Sequence, residues 1–373
     1  MREIKFGVIG CGLMGREFAS AAARWMHLLD MPAKPVIVGV SDVNSSAMEW
    51  FATHHPGITT TTNYQDLLAD PNIEAIYCAV PHNLHEQIYV DCIRAGKHLF
   101  AEKPFGIDLP AAQNIVEAVN QNPRVIVRCS SEFPFFPAAQ RIAQMVSEGA
   151  FGTIIEVKAG FCHSSDLDPN KPINWKRRAE TNGEYGCMGD LGLHVLHLPL
   201  RFGFHPKNVR ALLSNIFSTR PNSAGNPENC DTWDNAILCC ESAQGFPMIL
   251  ETKRISPGDT DSWYIKILGT KSSVEFSTKH PKTLRTMPYQ PGGKQAWHEE
   301  DLGYQTAYPT ITGHIFEFGF SDAILQMWAS FIDELSGSKP KFQCATAEEA
   351  LASHHLFTAA LESQRTGQTV TIA

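Results

Sequence analysis

The chain has no Cys-x-x-Cys, no His-Glu-x-x-His and no Gly-x-Ser-x-Gly. Their absence removes the usual signals for thiolate zinc, a zinc-hydrolase helix and a nucleophile elbow. No apolar run approaches the roughly 20 residues that span a bilayer, and there is no internal repeat or low-complexity tract. Positive charge is scarce: 31 Lys and Arg against 39 Asp and Glu give a net charge of −8. That leaves no basic field for nucleic acid or an anionic membrane, and neither is expected as a partner. Ten cysteines in 373 residues show no disulfide framework. Cys11, Cys78, Cys92 and Cys129 fall in apolar patterns, where a thiol acts as a small buried hydrophobe. The pairs His82/His85 and His194/His197 lack a Cys or carboxylate set at ligand spacing, so no metal is expected. Residues Met1–Phe6 enter an apolar strand at once, without the stretch of a signal peptide. The expected setting is reducing and cytoplasmic.

What the chain does have begins at Gly7. Gly-Val-Ile-Gly-Cys-Gly-Leu-Met-Gly places Gly10, Gly12 and Gly15 in G-x-G-x-x-G spacing, after the apolar run Ile4–Ile9 and before a helical pattern starting at Leu13. The first glycine permits a tight strand-to-helix turn, the second lets a pyrophosphate approach the backbone, and the third lets helix pack on strand. The phosphates then meet the helix N-terminus and its positive dipole end. Further strand patterns at Val36–Ser41, Ala75–Ala79, His98–Ala101 and Val125–Cys129 alternate with helical ones at Leu13–Leu29, Ser45–His54, Leu84–Ala95 and Leu109–Asn120. Short, almost wholly apolar strands between amphipathic helices indicate a doubly wound parallel sheet, an α/β Rossmann domain over residues 1–129.

After about residue 130 the pattern changes. A helix at Ala138–Glu148 is followed by strand patterns at Ile154–Cys162, Val209–Ser218, Trp233–Glu241, Pro247–Lys253, Trp263–Leu268 and Ser272–Ser277. Consecutive strands with short turns predict an α+β domain over 130–373 with a mostly antiparallel sheet. Residues His280–Phe320 lack periodicity, and a stretch that long is usually a lid, a binding loop or an oligomer arm. Helices at Asp322–Leu335 and Ala347–Arg365 close the chain.

Three segments carry chemistry. Asp42 ends the second strand, where a carboxylate accepts from ribose hydroxyls and repels a 2′-phosphate. With no Lys or Arg from Ser41 to Ala52, NAD is favoured over NADP; an alternative role for Asp42 is to cap the following helix. Lys103 follows an apolar strand and precedes Pro104, which places it at the C-terminal edge of the sheet where open α/β sheets bind ligands; an ordinary solvated lysine is the alternative. Asp190 and His194 are four apart and on a helix share one face. A His beside a carboxylate is common equipment for moving a proton near neutral pH, and a helix-capping Asp with a core His is the plainer alternative.

The order of these segments resembles the Gfo/Idh/MocA oxidoreductase family. The likeness rests on the glycine segment, Pro81-His82-Asn83-Leu84-His85, Ala95-Gly96-Lys97-His98 with Glu102-Lys103-Pro104, Gly189-Asp190-Leu191-Gly192-Leu193-His194 and Thr366-Gly367-Gln368-Thr369-Val370. The resemblance implies a Rossmann domain followed by a large open antiparallel sheet that binds substrate and forms a homodimer or homotetramer. It implies that Lys103, Asp190 and His194 act at the nicotinamide, with Gly10, Gly12, Leu13, Met14, Gly15, Asp42, Pro81, Asn83, His85 and Glu102 serving the cofactor. The expected activity is hydride transfer between NAD and a secondary alcohol of a sugar, cyclitol or derivative. The alternatives are NAD-assisted glycoside cleavage and a non-catalytic dinucleotide-binding regulator. One departure stands out: relatives commonly carry an Asn and an Arg after the fifth strand, where this chain has Glu132 and Pro134. Trp175-Lys176-Arg177-Arg178 lies in the connection leading to the Asp190 helix. Trp175, Lys176 and Arg177 are expected to line the substrate side, by stacking on a sugar ring and donating to hydroxyls; the alternative is a solvated basic loop.

Overall fold

The computed structural model describes residues 1–372, which form two units. The first comprises residues 1–135, 306–313 and 319–351, and the second 136–305, 314–318 and 352–373. A single boundary near residue 129 therefore does not describe the chain, which returns to the first unit late in its length.

The first unit is built on six parallel strands: β1 (Arg2–Ile9), β2 (Ala33–Ser41), β3 (Thr59–Thr61), β4 (Ala75–Cys78), β5 (His98–Ala101) and β6 (Val127–Cys129). Their order, β3-β2-β1-β4-β5-β6, is the doubly wound dinucleotide-binding arrangement. The connections carry α1 (Leu13–Ala23), α2 (Ser45–His54), α3 (Tyr64–Ala69), α4 (His85–Arg94) and α5 (Leu109–Gln121). The central strands are apolar on both faces because both are covered: Phe6, Tyr77 and Phe100 are all buried. Trp328, from the helix Phe320–Leu335, stacks on Phe18 at 3.8 Å between ring centroids and meets Phe6, Tyr77 and Phe100. The helix expected over Leu13–Leu29 stops at Ala23, where 3₁₀ bonding from Leu28 N–H to Trp25 O tightens the chain. Sequence periodicity missed β3 and α3, which are too short to establish a pattern.

In the second unit, α6 (Pro137–Ser147) precedes β7 (Ile154–Cys162); α7 (Ala179–Asn182) and α8 (Cys187–Arg201) follow. The remaining strands are β8 (Pro206–Ser214), β9 (Thr219–Pro221), β10 (Pro227–Asn229), β11 (Asn235–Ser242), β12 (Pro247–Lys253), β13 (Ser262–Gly269), β14 (Ser272–Ser277), β15 (Thr283–Pro288), β16 (His298–Asp301) and β17 (Val370–Thr371). Eight of them join β7 in one nine-stranded sheet, ordered β16-β15-β14-β13-β7-β12-β11-β8-β17, antiparallel throughout except for β7 beside β12. Alternate residues of β11, β12 and β13 are buried, so one face is packed and the other is left open. The packed face carries α8, which is buried along almost its whole length and is accordingly apolar nearly all round. Gly192 of this helix is required by space, since a Cβ there would lie 2.3 Å from the Phe357 ring. The stretch expected to be irregular contributes β15 and β16 to the sheet. Its residues 306–313 join the first unit, with Tyr308 N–H donating to Gln326 Oε1 at 2.8 Å.

Candidate active site

At the head of α1 the three motif glycines have three different environments. Gly10 adopts φ +96°, and a Cβ on it would lie 2.2 Å from the Ala79 carbonyl oxygen. A Cβ on Gly15 would lie 2.3 Å from Gly10 O, so the helix packs against its own turn. Gly12 faces open space with nothing within 4 Å, which is the room a diphosphate needs against the backbone. Leu13 is 75% exposed beside it, and Met14 is half-buried. Asp42 accepts from the Cys11 N–H at 2.8 Å and the Asn44 N–H at 2.9 Å. It is not the cap of α2; Asn44 takes that place, its side chain accepting from Ser46 N–H. The turn and the acidic residue are thus fixed to one another, and this end of the sheet suits a dinucleotide.

Further along the same edge, Glu102 is buried and accepts from the Tyr77 hydroxyl at 2.8 Å and from the Lys103 N–H at 3.3 Å. Pro81 leads a 3₁₀ turn that carries the exposed Asn83. His85 is fully buried, its Nδ1 2.7 Å from Pro104 O and its Nε2 2.9 Å from Val80 O. Burial pushes this imidazole down to about 4 against the pull of the two carbonyls, and a neutral ring, with one N–H, donates to only one of them. Glu132 is buried in the same unit and raises the Tyr77 phenol, behind the larger effects of burial and Glu102.

In the second unit, Asp190 and His194 lie one turn apart on α8, both buried. The Asp190 carboxylate accepts from Lys176 Nζ at 2.9 and 3.0 Å and from Arg254 Nη2 at 3.0 Å. Two cations thus offset the cost of burying one carboxylate. Lys176 Nζ also lies 5.6 Å from the centroid of the Trp175 ring. The His194 ring stands edge-on to Phe161, 5.5 Å between centroids at 87°, and its carbonyl accepts from Trp263 Nε1. His163, two residues beyond Phe161, meets the same ring at 5.8 Å.

Arg177 departs from expectation. It is 1% exposed, and its guanidinium is enclosed by ion pairs to Asp166 and Asp234. It is a buried staple of the loop and has no free face to offer a substrate. Arg178 pairs with Glu228 at 2.5 Å. Arg254 and His163 were not singled out from the sequence, although a signal existed. Met248, Leu250 and Thr252 of β12 are buried in alternation, and Arg254 continues that row. Val157, Ala159 and Phe161 of β7 do the same for His163. An ionisable residue at the end of an apolar row marks where the packed face becomes a site.

Among the described residues no group of three or more His, Cys, Asp or Glu could hold a metal, and no helix is long and apolar enough to cross a membrane. A family model described as "Oxidoreductase family, NAD-binding Rossmann fold" matches residues 4–129, and a "GFO/IDH/MocA C-terminal domain" matches residues 139–275. Levoglucosan dehydrogenase of Pseudarthrobacter phenanthrenivorans is 25% identical over 291 residues, 74% of each chain. D-xylose 1-dehydrogenase (NADP(+)) of Hypocrea jecorina is 22% identical over 302 residues, 74% of this chain and 73% of that one. Among solved structures, levoglucosan dehydrogenase in complex with NADH shares the fold with a TM-score of 0.91, at 22% identity over 100% of both chains.

Proposed function

As the chain belongs to the Gfo/Idh/MocA oxidoreductase family, we propose that it oxidises a secondary alcohol of a sugar, cyclitol or sugar derivative with NAD as hydride acceptor. The observation that carries this reading is the Asp190 cluster: a buried carboxylate one turn from His194, braced by Lys176 and Arg254. The relatives named for levoglucosan and D-xylose support the carbohydrate class.

NAD, when bound, supplies the hydride acceptor. The Gly10–Gly15 turn and the first turn of α1 hold its diphosphate, flanked by Leu13 and Met14, while Pro81, Asn83 and Glu102 serve the nicotinamide end. Asp42 keeps a lone pair on each oxygen beyond its two backbone bonds and accepts from ribose hydroxyls, which selects NAD over NADP. His85 holds the Val80 and Pro104 turns in place. His194 takes the proton of the reacting hydroxyl, Asp190 fixes the cations around it, and Lys103 shares in the proton transfer. Trp175 offers a ring face to the sugar and Lys176 a donor to its hydroxyls. The open face of the nine-stranded sheet is the surface through which the chain forms a homodimer or homotetramer, in a cytoplasmic setting.

A panel of sugars, anhydrosugars and inositols, followed by NADH absorbance, tests the activity. An enzyme that binds NADH but reduces NAD with no member of such a panel would sink the reading.

A further inference from the structure

The candidate groups of the second unit do not all have a task in that scheme, and His163 is the one left over. It continues the packed-face row of β7, and its backbone is held on both sides: its N–H donates to Lys253 O at 2.9 Å, and its carbonyl accepts from Ser256 N–H at 3.1 Å. Its side chain is half-buried and touches Phe161, whose ring also touches His194. Around it lie Asp190, Arg254, Lys176 and Asp166. The Ser165 N–H points at Nδ1 from 3.3 Å, so Nδ1 holds a lone pair and the proton of the neutral ring resides on Nε2. We propose that His163 is a specificity-determining residue whose Nε2–H donates to a second hydroxyl of the polyol, one that is not oxidised.

The alternative roles for the ring fit less well. Burial pushes His163 down to about 4, with Asp190 pulling it up and Arg254 and Lys176 pushing it down. A ring that far below neutrality is a weak base and carries no charge to pair with Asp190, whose oxygens Lys176 and Arg254 already engage. A neutral donor with its tautomer fixed by the backbone reads a hydroxyl well. It accepts the one partner that offers a lone pair there, and a deoxy analogue leaves the donor unpaired. Substrates would then be polyols bearing at least two hydroxyls on one side.

This inference rests on the carbohydrate reading above, and the test separates the two. Kinetics are measured on the member of the sugar panel that the wild type oxidises best, levoglucosan being the first probe. His163→Ala should raise KM for that sugar about tenfold, the worth of one neutral hydrogen bond, with kcat within a few-fold and NADH affinity unchanged. His163→Gln, whose amide nitrogen reaches the position of Nε2, should recover most of the loss. His163→Asn, whose amide reaches only the position of Nδ1, should not. A merely structural histidine would not divide Gln from Asn or KM from kcat. The inference is overturned if His163→Ala keeps its KM, or if the Gln and Ala variants lose equally. A wild type that oxidises no sugar overturns the carbohydrate reading and this inference with it, an outcome seen before any variant is made.

Discussion

The glycine turn of the first unit and the Asp190 cluster of the second are built by opposite means. One is made of backbone and empty space: Gly10, Gly12 and Gly15 act through what they lack, and fifteen residues contain nearly all of it. The other is made of polar side chains from four separate places: the end of β7, the turn before α7, the first turn of α8 and the end of β12. The first should therefore fail when atoms are added and the second when they are removed.

Removal of His194 should have the largest effect. His194→Ala is expected to lower kcat by about 10²–10⁴, the range for a general acid–base group, while NADH still binds. An unchanged kcat would place the base elsewhere. Arg177→Met tests whether the loop around the cluster is held by buried charge. Losing one member of a buried ion-pair set costs about 3–5 kcal/mol, to be read as a shift of the urea midpoint. A variant of unaltered stability with a raised sugar KM would return Arg177 to the substrate. On the other side of the comparison, Gly12→Val adds atoms where the fold leaves room. Its melting temperature should hold while NADH affinity falls by about 100-fold; loss of stability instead would mean that the space is not a ligand's. Smallest is Asp42→Ala. Repulsion between the Asp42 carboxylate and a 2′-phosphate is worth roughly 1–4 kcal/mol at partial exposure, so the preference for NAD over NADP should narrow. Equal kinetics with both cofactors in the wild type would remove this role.

The same contrast explains how much could be read in advance. The Rossmann unit was legible because each strand, turn and helix is specified within a few residues, and the order of the sheet follows from handedness. Asp190 and His194 were legible because a helix repeats over four residues. Arg254 could not be joined to Asp190, because 64 residues and a sheet register separate them. Arg177 misled for a related reason. Within Trp-Lys-Arg-Arg nothing in the local pattern distinguishes the one side chain that turns inward to Asp166 and Asp234 from its neighbours. β15 and β16 were missed because both are short and show no alternation: β15 buries only Leu284, and β16, the edge strand His-Glu-Glu-Asp, is exposed throughout.

The ring stack of Trp328 on Phe18 has a bearing on how the molecule is made. A ribosome delivers β1 to β6 within the first 129 residues, but the tryptophan that fills the space above them only at residue 328. At 5–20 residues per second, roughly 10–40 s separate the two. During that interval the nascent dinucleotide unit presents Phe6, Phe18, Tyr77 and Phe100 without their central partner. The part synthesised first is thus among the last to be finished. A premature stop before Phe320 would leave strands β1 to β6 intact but with an uncovered aromatic floor open to chaperones.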